Sequence, residues 1–544
     1  MAKEKQESLP GSYRGRVRNA EWLRKVDPKE EIVVTIGLSG PKLPNPDKFV
    51  GQTMTLRQIV KKYGAKKADV EKVKNSLMKA GLKVGKPSLG RRIMPVRGPA
   101  KAMEDAFDPA WAVYRSPSQV EFRSRHGRLK VPKELKGIVT GVFGLDQRPM
   151  ARSNSGAKVP DGHETALRPF TPAKIENHYN FPPGDGEGQT IAIAEFGGDY
   201  FKEDMIAYCK KFRRPVPKNI RTVSVGKARI FPFRKFLNIP DPEMRKHELE
   251  NSFEVMMDVE IIAGLCPKAN ILVYFAKDDQ RGWIDLLNKV IHLNRAPVAL
   301  SISWGRNEND KYWSKNAKRA INDLLNVARL LGITVCVASG DYGSIGSRYV
   351  PQSQLARVLF PASSPHVLAV GGTMLKLPGK EVTWRQDPVD GEFLGGATGG
   401  GVSQYFPRPA WQNVKVDSVN PSLYDGRVVP DVAALAGSPY YNLIIAGVPW
   451  SDGQTSAAAP VWAALVARIN ASLPLDKQQR FLTPLLYKKL GNGQTLGQTA
   501  LRDIKTGSNK ILDMPGYKAR KGFDAVTGWG VPDGKELLKC LRKI

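Results

Sequence analysis

Residues 298–341 contain three segments that decide the fold: VALSISWG (298–305), NAKRAINDLLNVARLLG (316–332) and ITVCVASGD (333–341). The first and third are short apolar runs typical of strands, whereas the second repeats its apolar residues at helical spacing. A strand that is apolar throughout is buried on both faces, and a helix between two strands allows them to run parallel. This stretch therefore predicts a parallel sheet with helices packed on it.

The same alternation continues on both sides of this stretch. Apolar strands are predicted at 190–197 (TIAIAEFG), 271–276 (ILVYFA) and 366–373 (HVLAVGGT), with helices near 200–212 and 283–293. Regular alternation predicts an α/β fold with a doubly wound parallel sheet and helices on both faces. Chemistry in such sheets gathers beyond the carboxyl ends of the strands, which is where the sequence places Glu195, Trp304 and Asp341.

Composition limits the class of protein. The chain has 544 residues, of which 41% are hydrophobic and 25% charged, and this is enough for two or three globular domains. Its four cysteines are far apart and fit neither a zinc motif nor a disulfide framework. No apolar run approaches the roughly 20 residues of a membrane span, and the start, MAKEKQESLPGSYRGR, has no apolar signal core. We therefore expect neither a membrane span nor a conventional signal peptide.

The chain is strongly basic, and the charge is unevenly distributed. The formal net charge is +31, and residues 1–150 hold 32 Lys and Arg against 15 Asp and Glu, or +17. No zinc-finger, RRM or basic-helix motif accompanies this charge. We interpret it as a solvated basic surface, with polyanion binding as the alternative and no specific nucleic-acid partner.

The sequence divides into three parts. In residues 1–146, strands are predicted at 31–38 (EIVVTIGL) and 137–145 (GIVTGVFGL), and amphipathic helices at 55–65 and 68–84, which together indicate a compact α+β domain. Residues 147–172, QRPMARSNSGAKVPDGHETALRPFTP, have the composition of a linker, and an exposed linker is where a protease would cut. Residues 173–544 carry the α/β pattern.

One serine stands at the start of a buried helix. In DGQTSAAAPVWAALVARIN (452–470), Ser456 precedes an alanine-rich apolar run that contains Pro460. A serine before such a run is typical of a helix cap. A nucleophilic serine also often lies at a loop-to-helix junction, where the helix dipole favours an oxyanion. The local sequence leaves both interpretations open.

A nucleophile needs a base, and the histidines do not offer one. None of the six lies in an HGT-type motif, so core or surface positions explain them: His126, His163, His178, His247, His292 and His366. Carboxylates are better candidates, because Glu254 and Asp258 are four residues apart in an apolar helical segment, where burial and mutual repulsion raise at least one pKa. The alternative is a solvated acidic helix together with Glu250 and Glu260.

Nine separated motifs, in one order from about residue 170 to 535, carry a family resemblance. They are AIAEFGG, EVMMDVE followed by LCPKANILVYFA, SISWG, ASGDYGS, FPASSPHVLAVGGT, TGGGVSQYFPRPAWQ, RVVPDVAALA, GQTSAAAPVWAAL and GFDAVTGWGVP. The sequence resembles the sedolisins, or serine-carboxyl peptidases, and is most similar to their kumamolisin-like branch. The resemblance implies a subtilisin-like peptidase domain, and residues 1–146 resemble the family's inhibitory and chaperoning propeptide.

The resemblance also implies roles for individual residues. Ser456 would be the nucleophile, Glu254 its general base, Asp258 the group that orients this base, and Asp341 the oxyanion-binding residue. Asp341 must carry a proton to donate to an oxyanion, so this chemistry predicts activity in acid. In the kumamolisin-like branch, Glu195 and Trp304 would extend the hydrogen-bonded chain behind the pair, and the alternative is that Glu195 caps a turn and Trp304 is a core residue.

A calcium site is implied near the C-terminus by RDIKTGSNK and ARKGFDAVTGWG. One structural Ca²⁺ would bind the carboxylates of Asp503 and Asp524, together with the backbone carbonyls of Ile504, Arg520 and Gly522. Cationic Arg520 and Lys521 depart from the usual Gly/Pro stretch there.

Three further features concern the cleft. Gln454 stands where the family has Gly, Tyr342 stands where a small serine is common, and GGATGGG (395–401) is interpreted as a substrate-lining or structural turn because it lacks the GK[ST] of a phosphate loop.

The sequence therefore predicts an acid-acting serine-type endopeptidase made as a zymogen and cleaved by itself in the linker. Its expected partners are protein and peptide substrates and its own propeptide, and it is expected to be a monomer. By family resemblance it would be secreted, although no conventional signal peptide is visible. The alternatives are a histidine-dependent subtilisin-like protease, a catalytically impaired relative, and a basic polyanion-binding protein.

Overall fold

The computed structural model of the chain describes residues 6–117, 120–150, 152–153, 167–228, 230, 242–293, 295–346, 355–386, 396–422 and 424–544. The predicted linker, 147–172, is described only at its two ends, since residues 154–166, including His163, lie outside the described residues. Gly395 of the glycine-rich segment and the side chain of His247 also lie outside them.

The N-terminal domain has the α+β composition that the sequence predicts. Its helices are α1 (Leu56–Tyr63), α2 (Lys67–Lys79) and α3 (Ala100–Phe107). Its strands are β1 (Gln6–Ser8), β2 (Glu21–Arg24), β3 (Glu31–Leu38), β4 (Lys83–Val84), β5 (Ile93–Pro99), β6 (Ala110–Arg115), β7 (Glu121–His126), β8 (Lys130–Pro132) and β9 (Val139–Phe143). A four-stranded sheet in the order β4-β5-β3-β9 lies against these helices over an apolar core of its own.

The linker contributes one short strand, β10 (Arg152–Ser153), before the second domain begins. The helices of that domain are α4 (Pro172–His178), α5 (Lys202–Lys211), α6 (Pro242–Leu265), α7 (Gln280–Ile291), α8 (Lys315–Leu330), α9 (Gln454–Ser472), α10 (Thr483–Leu486), α11 (Leu496–Ala500) and α12 (Gly534–Leu541).

The strands of the second domain are short. They are β11 (Thr190–Glu195), β12 (Ile220–Ser224), β13 (Asn270–Phe275), β14 (Ala299–Ile302), β15 (Trp304–Asn307), β16 (Thr334–Ala338), β17 (Leu359–Phe360), β18 (Leu368–Lys376), β19 (Lys380–Thr383), β20 (Gly401–Pro407), β21 (Gly426–Val429), β22 (Val432–Leu435), β23 (Tyr441–Ile445), β24 (Val448–Asp452), β25 (Leu501–Arg502) and β26 (Val531–Pro532).

The central sheet confirms the predicted doubly wound architecture. Its strands follow the order β12-β13-β11-β14-β16-β18-β19, and β22 also pairs with β18. All of these pairs are parallel except the antiparallel edge pair β18–β19. Ile191 and Ile193 of β11 pack with the helices α6 and α9, whereas Ala192 and Ala194 pack with α7 and α8. Both faces are therefore covered, which explains why the strands are apolar throughout.

Helices α6 and α9 lie on the same face of the sheet and pack against each other. Every residue of α9 from Gln454 to Asn470 is buried. The N-cap of this helix is Gly453, so Ser456 is the third helical residue and the interpretation of Ser456 as a cap is wrong. Pro460 is the seventh residue of the helix.

The N-terminal domain covers the opposite face of the sheet. Its strands β3 and β9 pack on α7 and α8, and its residue Phe143, together with Met150 of the linker, joins the apolar core on that side. All four cysteines are free and buried, as their spacing indicates. Within the described residues, no helix combines the length and the apolar character that crossing a membrane requires.

Candidate active site

The two acidic residues singled out on α6 face α9. Glu254 and Asp258 are four residues apart on this helix, so their side chains share one face, and both are completely buried. Burial raises the pKa of Glu254 well above its usual range, the neighbouring Asp258 raises it further, and a hydrogen bond with Ser456 lowers it. The interpretation of this pair as part of a solvated acidic helix is thereby excluded. Ser456 and the carboxyl group of Glu254 are joined by a hydrogen bond.

Asp258 is held by a residue that the sequence did not single out. The hydroxyl of Ser303 donates to the Asp258 carboxyl group, with Oγ 2.9 Å from Oδ2 and 3.0 Å from Oδ1, and it lies 3.3 Å from the carbonyl oxygen of Ser456. Burial raises the pKa of Asp258, Glu195 raises it further, and the Ser303 hydrogen bond opposes this increase. Ser303 follows β14, so strand and helix meet at this hydroxyl.

Glu195 and Trp304 form a second buried hydrogen-bonded pair near these acids. The indole Nε1–H of Trp304 donates to Glu195 Oε2 at 2.9 Å, and both residues are buried. No described residue hydrogen-bonds to Glu195 Oε1. Burial raises the pKa of Glu195 well above its usual range, and Glu254 contributes to this increase. Three acidic groups are therefore coupled behind Ser456, and Trp304 is a hydrogen-bond donor as well as a core residue.

Asp341 lies directly after β16 and is bound to the start of α9. Its Oδ1 accepts from the backbone N–H of Thr455 at 2.9 Å and from the Thr455 hydroxyl at 2.7 Å. Among the described residues, none hydrogen-bonds to Oδ2. Burial raises the pKa of Asp341 to about 7, although the Thr455 hydrogen bonds oppose it and Asp452 adds to it. Because Oδ1 accepts two hydrogen bonds, the proton of the neutral acid belongs on Oδ2.

The glycine-rich segment supports the Asp341 loop. The backbone N–H of Ala397 donates to the Asp341 carbonyl at 2.8 Å, and that of Gly399 donates to the Gly340 carbonyl at 2.6 Å. A Cβ at Gly399 would lie 2.2 Å from the Ser339 carbonyl oxygen, so a side chain does not fit there. The described part of this segment is a structural turn rather than a phosphate loop.

Gln454 and Tyr342, the two residues near Ser456 that differ from the usual family residues, lie in different environments. Gln454 has φ 71°, a left-handed conformation that favours glycine, and its backbone N–H donates to the Ala436 carbonyl at 2.5 Å. Its side chain is buried. Tyr342 packs beside a small apolar cluster that includes Ile345 and Ile511.

The described histidines contact other parts of the fold. His178 Nε2 lies 2.9 Å from Glu381 Oε2, and His292 Nδ1 lies 2.9 Å from the Asn288 carbonyl oxygen. His126 belongs to β7 of the N-terminal domain, and His366 is buried just before β18. The groups that surround Ser456 are carboxyl groups, hydroxyls and an indole.

The chain was compared with known proteins and families. Residues 19–148 match the family model described as "Pro-kumamolisin, activation domain", and residues 248–530 match the one described as "Subtilase family". The chain is 33% identical to kumamolisin from Bacillus sp. (strain MN-32), in an alignment that covers 99% of this chain and 96% of kumamolisin. The chain belongs to the sedolisin family of serine-carboxyl peptidases.

The chain is also similar to proteins named tripeptidyl-peptidases and to a solved sedolisin structure. The chain is 31% identical to tripeptidyl-peptidase 1 of Homo sapiens, with 76% of this chain and 72% of that protein aligned. Among solved structures, the Pseudomonas sedolisin complexed with pseudo-iodotyrostatin matches with a TM-score of 0.56 and 23% identity, over 69% of this chain and 98% of that one. This structural likeness shows the subtilisin-like fold, and the family models show that the chain includes an activation domain.

The residues expected to bind calcium converge on one short segment. Asp503 Oδ2 accepts from the Gly522 backbone N–H at 2.9 Å, and Asp524 Oδ2 accepts from that of Arg520 at 3.0 Å. No described residue hydrogen-bonds to Asp503 Oδ1, which is buried. Burial raises the pKa of Asp524 to about 6. Two carboxyl groups and a buried acceptor without a donor fit a hard cation.

The strand from the linker lies beside the sedolisin-family site. β10 pairs antiparallel with β15, with Arg152 opposite Gly305 and Ser153 opposite Trp304. Trp304 itself donates to Glu195, so this short piece of the linker pairs with the strand that carries the hydrogen-bond donor to one of the buried acids.

Proposed function

We propose that this chain is an acid-acting serine-carboxyl endopeptidase made as a zymogen. The observation that carries the proposal is the hydrogen bond between Ser456 and Glu254, next to two further buried acids, Asp258 and Glu195, whose charges act on this group. Asp341 is bound to Thr455 in the first turn of α9. Ser456 Oγ attacks the peptide carbonyl carbon while Glu254 accepts the hydroxyl proton. Asp341 Oδ2 donates a hydrogen bond to the oxyanion that forms.

The second half of the cycle returns the protons. As the tetrahedral intermediate collapses, Glu254 gives its proton to the leaving amine and an acyl-enzyme ester remains on Ser456. Water then attacks the ester, with Glu254 accepting its proton and Asp341 again binding the oxyanion. Glu254 finally returns a proton to Ser456 Oγ, which releases the carboxylic acid.

Mutual repulsion explains how a base operates in acid. Three buried carboxyl groups that act on one another electrostatically cannot all be ionised, because burial and like charge oppose each further ionisation. The pKa of Asp258 and the pKa of Glu195 are both raised by burial, so these two groups hold protons in mild acid. Glu254, with its hydrogen bond to Ser456, can then carry the single negative charge that a base requires.

The pairing of an internal segment of the chain with β15 supports endopeptidase activity. The paired residues Arg152 and Ser153 belong to an internal part of the chain, which continues in both directions from the strand. A strand such as β15 that pairs with an internal segment of chain can also pair with a substrate that offers no free terminus nearby. The relatives named tripeptidyl-peptidases favour the second candidate, release of tripeptides from a free N-terminus. Peptides with and without an N-terminal acetyl group distinguish the two, since only an endopeptidase cleaves both.

Contacts between the domains support acid-triggered activation. The Thr35 hydroxyl of the N-terminal domain donates to Asp285 Oδ1 on α7 at 2.9 Å, and Arg92 faces Asp323 on α8. Burial raises the pKa of Asp285 and that of Asp323. Acidification therefore neutralises carboxylates that hold the basic domain, which weakens the interface.

Calcium would stabilise the C-terminal loops. Asp503 and Asp524 would hold the ion together with the carbonyls of Ile504, Arg520 and Gly522, and the ion would supply charge neutralisation there. In this role the calcium-binding residues order the loops, and they take no part in the proton transfers between Ser456 and Glu254.

The proposed function is tested with a denatured protein substrate between pH 2 and 8, using wild type beside Ser456→Ala. We expect cleavage with an acidic optimum in the wild type and none in the variant, and mass spectrometry after incubation near pH 4 should detect loss of the N-terminal domain only in the wild type. An optimum near neutrality, or activity in Ser456→Ala, would contradict the mechanism. An intact wild-type chain at every pH would contradict self-activation.

A further inference from the structure

Asp452 is a buried carboxyl group next to the nucleophile that the family resemblance does not assign. It ends β24, where it lies opposite Tyr441 of β23, and it precedes Ser456 by four positions in the sequence. Only 9% of its surface is exposed. Its Oδ1 accepts from the backbone N–H of Gly453 at 2.7 Å. The carboxyl group is therefore held at the entrance to α9.

Asp452 and Asp341 are bound to the same short piece of backbone. Asp452 Oδ1 binds the N–H of Gly453, and Asp341 Oδ1 binds the N–H of Thr455. Amide groups two residues apart are separated by at most roughly 7 Å. The two carboxyl groups are thus neighbours at one helix terminus, and the charge of one acts on the other.

The titratable groups that face Asp452 come from three elements. They are Glu254 of α6, Asp341 after β16, and Tyr440 before β23, whose hydroxyl bonds to Gln386. Within the described residues, no lysine, arginine or histidine forms an ion pair with Asp452. An anion here is therefore not neutralised by a partner, and it acts directly on the reacting groups.

We propose that Asp452 is a positioning residue for the reaction, whose negative charge keeps the proton on Asp341 Oδ2 and so sets the upper pH limit of catalysis. The inference rests on the proposed function, in which neutral Asp341 donates to the oxyanion. An anion beside Asp341 makes its ionisation less favourable, so Asp341 stays neutral to higher pH.

The pKa values of Asp452 and Asp341 indicate which of the two carboxyl groups ionises first as pH rises. Burial raises the pKa of Asp452 to about 6, against the hydrogen bond from Gly453, while the pKa of Asp341 is about 7. Asp452 therefore becomes negative first as pH rises, and its charge is present in the range where Asp341 would otherwise lose its proton.

The test is the pH profile of kcat/KM for activated Asp452→Asn enzyme. Asparagine can still accept from the Gly453 N–H, so the change removes charge and keeps the hydrogen bond. We expect the alkaline limb of the profile to move to lower pH by roughly one unit, with little loss of maximal activity. The acid limb should stay in place, because Asp452 is already protonated there in the wild type. Asp452→Glu restores the charge and should restore the wild-type alkaline limb.

Asp204→Asn is the matched control. Asp204 Oδ1 accepts from the Gly447 N–H at 2.9 Å at the turn of the same β23–β24 hairpin, and its acidic neighbours are Glu203 and Glu260 rather than reacting groups. This variant should leave both limbs in place. If Asp452→Asn lowers activity equally at every pH, or leaves the alkaline limb in place, Asp452 is only a structural residue and the inference is overturned.

A second readout does not require activity. In the Ser456→Ala zymogen, Asp452→Asn should raise the melting temperature more at pH 7 than at pH 4, because only at pH 7 does the native protein hold a buried unpaired anion there. The same difference at both pH values would overturn the inference. An inactive wild type would contradict the proposed function alone, and the melting experiment would still decide the role of Asp452.

Discussion

The carboxyl groups around Ser456 and that of Asp146, where the N-terminal domain ends, are all buried, yet their neighbours differ in kind. Asp146 Oδ2 lies 3.1 Å from Arg14 Nε, and Arg148 binds the same carboxylate through Nε at 3.0 and 3.1 Å. Glu254, Asp258 and Asp341 are bound instead by hydroxyls and a backbone N–H.

These neighbours set opposite charge states. Burial raises the pKa of Asp146, but Arg14 and Arg148 outweigh it and hold the pKa well below its usual range. Around Ser456 nothing outweighs burial, so the pKa values rise. The ion pairs of Asp146 thus persist in acid, whereas Asp341, Asp258 and Glu195 hold protons and leave the negative charge on Glu254. Acid activation should therefore start at the interface between the domains, with the N-terminal domain still folded.

The largest expected effect tests whether the raised carboxyl group is the base. Glu254→Gln cannot accept a proton, so we expect kcat to fall by roughly 10⁴-fold or more, and zymogen processing to stop. Glu260→Gln is the matched control, since burial raises the pKa of Glu260 to about 9 and it is already neutral in acid, bound to the Ile444 N–H. Peptide hydrolysis near pH 4 measures both variants. Comparable losses in the two would contradict a specific role for Glu254.

The second prediction concerns the arginine-bound carboxylate. Asp146→Asn leaves Arg14 and Arg148 buried without their counter-charge, which costs roughly 3–5 kcal/mol. A lowered native pKa gives stability that is present above the unfolded pKa and lost only when pH falls through the native value, so the loss should be similar at pH 7 and pH 4. Thermal unfolding in the Ser456→Ala background measures it.

Asp105→Asn removes an exposed partner of Lys101 and should leave the melting temperature unchanged. If the effect of Asp146→Asn disappears at pH 4, the N-terminal domain loses its ion pairs in acid and the contrast between the regions fails.

The third prediction concerns Asp341, one of the carboxyl groups that hold a proton in acid. Its raised pKa, about 7, means that it is protonated below that pH and ionises above it, so wild-type activity should fall through this range. Asp341→Ala should lower kcat by roughly 10²–10³-fold. Asp341→Asn keeps an N–H donor without a titrating proton, so its activity should no longer fall near pH 7. A profile for Asp341→Asn with the wild-type alkaline limb would assign that limb to another group.

The smallest expected effect concerns the proposed calcium site. Excess Ca²⁺ should stabilise the Ser456→Ala zymogen against chelator by about 2 kcal/mol, seen as a higher melting temperature. Asp503→Asn should abolish the difference. Asp513→Asn, which alters a fully exposed carboxylate in the same part of the chain, should preserve it. A calcium effect that survives Asp503→Asn would place the ion elsewhere.

Much of the scaffold could be predicted from the sequence because its signals are local. Continuous apolar strands such as ITVCVASGD predict burial on both faces, and the structure buries them so. The spacing of Glu254 and Asp258 predicts a shared helical face because the helical period fixes it. Motif order gave the family, but the local sequence at Ser456 could not separate a cap from a nucleophile.

Three residues near the nucleophile were not found from the sequence. Ser303 lies within a quoted motif, yet its partner Asp258 is 45 residues away. Thr455 binds Asp341 across 114 residues, and Asp452 becomes a neighbour of Glu254 only when the hairpin β23–β24 docks beside α6. Serine, threonine and aspartate are common at helix starts and strand ends, so their residue type carries no signal.

The sequence by itself determined the alternating strands and helices, the paired acids on one helical face and the basic N-terminal domain, because periodicity and charge are properties of neighbouring residues. Only the tertiary structure decided which carboxyl groups hold protons. That choice depends on burial and on whether the nearest donor is an arginine, as at Asp146, or a hydroxyl and a backbone N–H, as at Asp341. Both are set by residues that are distant in the chain and meet only when the sheet and its helices have packed.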